Sequence, residues 1–160
     1  MRPELIDPFI DGVKELFETM LGGSAEVVEM GTVTRTDPPE ALTALIGLSG
    51  RLKGSVALGL PESTAVEMAR RLMGMDDVAD MVDDAMAEMV NIVGGGAKAK
   101  LSEKIGGDPM QLSLPTMIRG NNFEIQYPSG SIWTEVGFSS DCGPFRLCVT
   151  FAGDTSFKGA

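Results

Sequence analysis

Residues 83–101, "DDAMAEMVNIVGGGAKAKL", are the stretch from which the fold of this chain can be predicted. At about 100° per residue, with Asp84 placed at 0°, Glu88 falls at about 40° and Asn91 at about 340°. The apolar side chains fall between about 140° and 220° on the opposite side. These apolar residues are Val82, Met86, Met89, Val93 and Ala97. The stretch therefore predicts an amphipathic helix that turns three polar side chains away from its buried stripe.

Three consecutive glycines, residues 94–96, follow the polar residues. Each glycine costs a helix about 1 kcal/mol relative to alanine, so a triplet indicates either a helix end or a surface kept clear for contact. If the helix continues, Gly95 lies at about 20°, on the same face as Asp84. Its missing side chain would then let another molecule approach this face closely. A phosphate-binding loop is excluded, because the spacing is wrong and the glycines follow a helix where a strand is required.

The N-terminal segment carries a second copy of the same helical pattern. Asp11, Glu15 and Glu18 repeat the polar spacing found in the later helix, but Glu18 stands where that helix has an asparagine. The corresponding apolar residues are Phe9, Val13, Leu16 and Met20. We expect this helix to begin with Asp7 as its cap and Pro8 at its first position, and to end near Gly22.

Strand patterns follow each of these helices. The predicted strands are 25–36, 41–50, 53–61, 110–120, 122–128, 131–141 and 145–153, the second and third forming a hairpin. A middle helix at 63–74 has capping-box spacing at Thr64 and Glu67, with Gly74 placed to end it. Pro115 inside a strand pattern indicates an edge or a bulge.

This order predicts one α/β domain over residues 1–160, built from pseudo-repeated α-β-β-β halves with long helices packed on an extended β-sheet. The halves cover about residues 4–60 and 80–153, and 154–160 form a frayed tail.

Composition excludes several classes of function. The chain has 13 basic and 23 acidic residues and a net charge of −10, which argues against binding to nucleic acid or an anionic membrane. It contains no histidine, so imidazole catalysis and most zinc sites are excluded. Asp83 points about 100° away from Asp84, so Asp83, Asp84 and Glu88 offer too few ligands on one side for a metal site. Because no signal peptide or membrane span is apparent, we predict a cytoplasmic protein. Cys142 and Cys148 are then expected to be reduced.

Asp84, Glu88 and Asn91, followed after about two dozen residues by Pro115 in "LSLPTMIRG", resemble the motif of a known family. This is the CheC/CheX/FliY family of chemotaxis phosphatases, whose motif is Asp or Ser, three residues, Glu, two residues, Asn and a later Pro. The single intact motif is most similar to CheX, and the resemblance covers most of the chain. Because the first copy has Glu18 where Asn is needed, one working site is expected.

The resemblance implies a phosphatase that hydrolyses the phospho-aspartate of a response regulator such as CheY. Asn91 would orient the attacking water, and Glu88 would pair with the regulator's lysine. Asp84 and Gly95 would belong to the docking surface. The resemblance also implies that Mg²⁺ is bound by the regulator rather than by this chain, and that the protein forms a homodimer by sheet continuation.

Two other functions remain open from the sequence. The same helix face could serve a non-catalytic adaptor that binds a response regulator or a flagellar or chemotaxis partner. A structural subunit of a flagellar switch is a third possibility, although no separate feature of the sequence points to it.

Overall fold

A computed structural model of the chain describes residues 3–33, 41–106, 110–120 and 132–152. Within these ranges, three helices and seven strands follow one another. They are α1 (Pro3–Leu16, continued by a π-helical turn at Phe17–Leu21), β1 (Ala25–Val33), β2 (Leu42–Ser49), β3 (Lys53–Leu60), α2 (Glu62–Met73), α3 (Val82–Ile105), β4 (Gln111–Leu112), β5 (Thr116–Arg119), β6 (Trp133–Ser140) and β7 (Phe145–Ala152). The predicted strand at 122–128 and the predicted tail at 154–160 lie outside the described residues. None of the helices in the described ranges is long and apolar enough to span a membrane.

The strands form one antiparallel sheet with the order β1-β6-β7-β3-β2-β4, and β5 also pairs with β2. The order is symmetric about the central pair β3 and β7. In each half of the sequence the first strand lies at an edge and the last lies at the centre. The strand between them pairs with the edge of the other half, β2 with β4 and β5, and β6 with β1. The predicted α/β class with an α-β-β-β repeat is therefore confirmed, and the hairpin of β2 and β3 is confirmed with it.

Alternate residues of the strands face α1 and α3, as period-two patterning requires. On β2, Ala44, Ile46 and Leu48 are buried in the main core together with the apolar stripes of the helices. Leu45 lies on the other side of the sheet, where it packs against a small cluster that includes the buried Trp133. The helices therefore rest on one face of a sheet that is apolar in the middle of both faces.

Helix α3 runs without a break through its glycines, so the first of the two predictions for the triplet, a helix end, is wrong. Every residue of its predicted apolar stripe is buried. Helix α1 packs against it so closely that a Cβ at Gly12 would lie 2.9 Å from the carbonyl oxygen of Val93. Packing of this stripe against α1 and the sheet offsets the helix-propensity cost of the glycines, and the helix ends only before Gly106, whose φ is 71°.

The start of α1 differs from the prediction, whereas its end is confirmed, because the π-helical turn that continues it has Gly22 as its C-cap. The helix begins at Pro3, and Pro8 lies inside it rather than at its first position. Leu5 and Ile6 are buried in the core, and this burial favours the earlier start. Met20 was predicted on the buried stripe but is 48% exposed. The wider π-helical turn rotates the last residues, so that Phe17 and Leu21 are buried instead.

Helix α2 confirms one predicted end and corrects the other. Gly74 adopts the left-handed conformation, with φ 66° and ψ 31°, and its N–H donates to the carbonyl of Arg70. The capping box is wrong, because Pro61 occupies the N-cap and Thr64 lies within the helix. The buried hydroxyl of Thr64 donates instead to the carbonyl of Pro144, 2.9 Å away, which ties α2 to the turn before β7.

Cys142 and Cys148 are both buried and are not disulfide-bonded, which agrees with the predicted reduced state. Burial raises the pKa of the Cys142 thiol. Because a neutral buried thiol behaves as a small apolar side chain, Cys142 has a packing role at the turn between β6 and β7.

Candidate functional site on helix α3

Helix α3 presents the predicted polar residues on its solvent side. Asp84 and Glu88 are exposed and Asn91 is half-buried. They follow one another at helical spacing, so Glu88 and Asn91 are about 4.5 Å apart along the helix axis. The opposite side of this helix is fully buried, which fixes the orientation of the polar face. The structure therefore brings the predicted catalytic pair and Asp84 together on one rigid surface.

Gly95 continues this face by one turn. A Cβ added there would have no neighbour within 4 Å among the described residues. At Gly94 the nearest atom would be Leu112 Cδ2 at 3.6 Å, and at Gly96 it would be Glu15 Oε2 at 3.8 Å. These are ordinary contacts, so the fold has room for alanine at all three positions. The glycines are therefore not required by the packing of α3, and the contact role of Gly95 stays a prediction.

The start of α3 is joined to the edge of the sheet. Asp83 forms an ion pair with Arg119 of β5, and both side chains are about half exposed. This contact holds Asp83 away from the face that carries Asp84 and Glu88. Within the described part of the chain, no three acidic or cysteine side chains are grouped so that they could hold a metal ion.

The equivalent face of α1 is occupied by a lysine from α3. Lys100 Nζ lies 2.8 Å from Glu15 Oε1 and 3.4 Å from Asp11 Oδ2. The hydrogen bond with Glu15 is the main reason that the pKa of Lys100 is raised, and the charge of Asp11 adds to it. The third position of this face is Glu18, which is exposed. The first copy of the pattern thus has bridged carboxylates and no amide.

The segment around Pro115 separates β4 from β5 at the edge of the sheet. Leu48 pairs with Leu112 and Leu45 pairs with Thr116, so three residues of this edge face two residues of β2. This is a β-bulge, and the prediction of an edge or a bulge at Pro115 is confirmed. Leu114, next to the proline, is 89% exposed.

Sequence reasoning missed three features of this region: Lys100, Arg119 and Leu114. The first two lie far along the chain from their partners, and helical periodicity carries no signal for such pairs. For Leu114 the signal was the proline that follows it, because Leu114 itself continues the alternation of Met110 and Leu112 and so resembles a buried strand residue.

Comparison with known proteins finds a family match that includes α3 and the segment around Pro115. Residues 42–139 match the family described as "Chemotaxis phosphatase CheX". The CheY-P phosphatase CheX of Thermotoga maritima is 23% identical over 129 residues, which cover 79% of this chain and 82% of that protein.

Two solved structures have the same fold. A CheC-like superfamily protein from Shewanella sp. PV-4 has a TM-score of 0.81 at 26% identity, covering 96% of this chain and 100% of its own. A CheX–CheY–BeF3–Mg²⁺ complex from Borrelia burgdorferi has a TM-score of 0.72 at 25% identity, covering 95% of this chain and 100% of its own.

Proposed function

The chain belongs to the CheX family of chemotaxis phosphatases, and from this premise we propose that it hydrolyses the phospho-aspartate of a CheY-type response regulator. The observation that carries the proposal is the presentation of Glu88 and Asn91 at helical spacing on the solvent side of α3. The Thermotoga maritima relative, named as a CheY-P phosphatase, and the structural relative in complex with CheY support this choice of substrate.

Asn91 is the residue that we propose to orient the attacking water. An aspartyl phosphate is an activated acyl phosphate, so its hydrolysis depends more on an in-line water than on a strong base. The water oxygen attacks phosphorus, the bond from phosphorus to the aspartyl oxygen breaks, and the regulator recovers its carboxylate. The protons of the water end on inorganic phosphate or in solvent. An amide suits this role, because its carbonyl accepts a hydrogen bond and its NH₂ group donates one.

Glu88 would orient the regulator relative to this chain through a charged contact. It is exposed on the helix turn that precedes Asn91, where its carboxylate can reach a cation of the docked regulator. We assign that cation to the regulator's active-site lysine. Asp84 and Gly95 flank the pair on either side and complete the docking face, with Asp84 providing polar contact and Gly95 allowing close approach.

The divalent ion belongs to the regulator in this proposal. The reaction spreads negative charge over the phosphoryl oxygens, and Mg²⁺ would neutralise that charge from the regulator's own acidic residues. This chain is then required to supply no metal ligand. Action on a two-component regulator would place the protein in the cytoplasm.

A homodimer formed by sheet continuation is part of the same proposal. Strand β1 lies at one edge of the sheet, and its Val28 and Met30 are 63% and 51% exposed. An exposed edge strand with apolar side chains is a template for pairing with a second chain. A monomer in light scattering would contradict this part of the proposal without affecting the assignment of the site.

The test is loss of phosphoryl label from each phosphorylated CheY-type regulator of the same cell. We expect the protein to accelerate the loss for at least one regulator, and the Asn91→Ala and Glu88→Ala variants to abolish the acceleration. Glu18→Ala is the matched control, because it changes the equivalent position of α1 and should leave the rate unchanged. If no regulator were dephosphorylated faster than it decays alone, the protein would be an adaptor that binds through this face.

A further inference from the structure

The β-bulge between β4 and β5 is held firmly to the neighbouring strand. The N–H of Ser113 donates to the carbonyl of Gly47 at 2.9 Å, and the N–H of Gly47 donates to Ser113 Oγ at 2.8 Å. The Ser113 hydroxyl in turn donates to the carbonyl of Leu114 at 3.1 Å. A Cβ at Gly47 would lie 3.3 Å from that hydroxyl oxygen, so the glycine leaves room for the serine. The bulge is therefore a fixed structure and not a loose connection.

Leu114 is the side chain that this bulge presents to solvent. At 89% exposure it is the most exposed large apolar side chain among the described residues. Its neighbour Leu112 faces α3, because it contacts the position where Gly94 would carry a Cβ. Both β4 and β5 contact α3, so the bulge between them, which carries Leu114, lies at this edge of the sheet beside the helix. Bulges often re-aim a side chain in this way next to functional sites.

Two contacts fix where Leu114 lies along α3. Arg119 meets Asp83 near the start of the helix, and Leu112 meets Gly94 further along it. The edge of the sheet and the helix therefore run in opposite directions. In the chain, Leu114 lies between these two contacts, so it lies beside the part of α3 between Asp83 and Gly94. This part of the helix carries Glu88 and Asn91.

We infer that Leu114 is an apolar anchor for the response regulator, docking beside Glu88 and Asn91. The inference rests on the proposed function and deepens it by naming a second contact outside the helix. A stable protein interface covers about 800 Å² on each partner, which is more than one helix face can supply. A regulator seated on Asn91 would therefore also cover the bulge. An exposed leucine on a rigid support is suited to filling an apolar depression on that partner.

The predicted effect falls on binding rather than on chemistry. Leu114 does not touch the reacting atoms in this arrangement, so its loss weakens the bound complex and the transition state equally. We expect Leu114→Ala to raise KM for the phosphorylated regulator about tenfold and to leave kcat within about twofold of wild type. Asn91→Ala should give the opposite split, with a large loss of kcat.

The experiment measures kcat and KM for dephosphorylation of the regulator that the wild-type protein accelerates most. A second measurement titrates the same regulator, loaded with Mg²⁺ and beryllofluoride, against wild-type, Asn91→Ala and Leu114→Ala proteins by calorimetry. Met75→Ala is the matched control, because Met75 is also exposed, at 45%, but follows α2 and lies off the α3 face. Circular dichroism and light scattering accompany each variant.

Each outcome decides the inference. A tenfold rise in KM and in Kd for Leu114→Ala alone would support it. Unchanged KM and Kd, with the wild type active, would overturn the anchor and leave the proposed function in place. A dimer that dissociated in Leu114→Ala with KM unchanged would assign the side chain to a second copy of this chain, which also overturns the inference. If the wild type accelerated no regulator, the proposed function and the anchor would both fall.

Discussion

Replacing Gly95 with alanine separates what the fold needs from what the docking face needs. Gly95 lies inside a 24-residue helix, and a Cβ there would meet nothing within 4 Å among the described residues. The substitution therefore removes the helix-propensity cost of glycine, about 1 kcal/mol, without adding a clash. For a chain of this size the gain corresponds to a rise in Tm of about 2–4 °C.

The same substitution should impair regulator turnover. A methyl group placed where a partner approaches closely costs about 1–3 kcal/mol of contact energy, so we expect kcat/KM to fall about tenfold or more. Gly96→Ala is the control, because it removes the neighbouring glycine on the α1 side of the helix. It should raise Tm similarly and leave turnover unchanged.

Thermal denaturation and dephosphorylation kinetics of the two variants test both parts. Equal activity of Gly95→Ala and wild type would refute the contact role of this face at Gly95. A fall in Tm for Gly95→Ala would refute the argument that the fold has room for the side chain.

Three further predictions concern stability and reactivity. Gly12→Ala should destabilise the protein by about 1–3 kcal/mol in urea denaturation, because the new Cβ would press on the backbone of α3, whereas Gly31→Ala, with open space around it, should not show that clash penalty. Lys100→Ala should cost only about 0.5 kcal/mol at pH 7, because its ion pairs with α1 are partly exposed. Since the folded pKa of Lys100 is raised above 10.5, this contribution is complete below that pH and is lost as the pH rises through the folded pKa, so wild type and variant should converge in strongly alkaline urea titrations. Cys142, whose pKa is raised by burial, should react with a thiol reagent at pH 8 much more slowly in the folded protein than in urea, and equal rates would contradict its buried position.

The parts of the fold that could be predicted are those set by local periodicity. The buried stripe of α3 follows from residues three and four apart, and packing of that stripe keeps the helix intact through the glycines. The strands and the hairpin of β2 and β3 were likewise visible as short apolar runs bounded by glycine and proline. The arrangement of Asp84, Glu88 and Asn91 on one face was predictable for the same reason.

The parts that could not be predicted depend on neighbours that are distant in sequence. Met20 left the predicted stripe because the π-helical turn changes the angle per residue after Leu16. Thr64 has the spacing of a cap but is drawn inside α2 by a hydrogen bond to Pro144. Such choices are made by tertiary contacts, which a one-dimensional pattern does not contain.

The two copies of the helical pattern differ at their third polar position, which is Glu18 in the first and Asn91 in the second, and they also differ in length. Helix α3 extends beyond the glycines, and this extension carries Lys100 across to the carboxylates of α1. Gly96 faces Glu15 of α1 at this crossing, Gly94 faces the sheet, and Gly95 faces solvent. The face of α1 is thereby bridged by its own protein, whereas the matching face of α3 stays open to a partner. Asn91→Ala should therefore remove activity completely, because the equivalent position of the first helix is Glu18 and carries no amide. Residual turnover in that variant would show that the bridged face of α1 is also catalytically active.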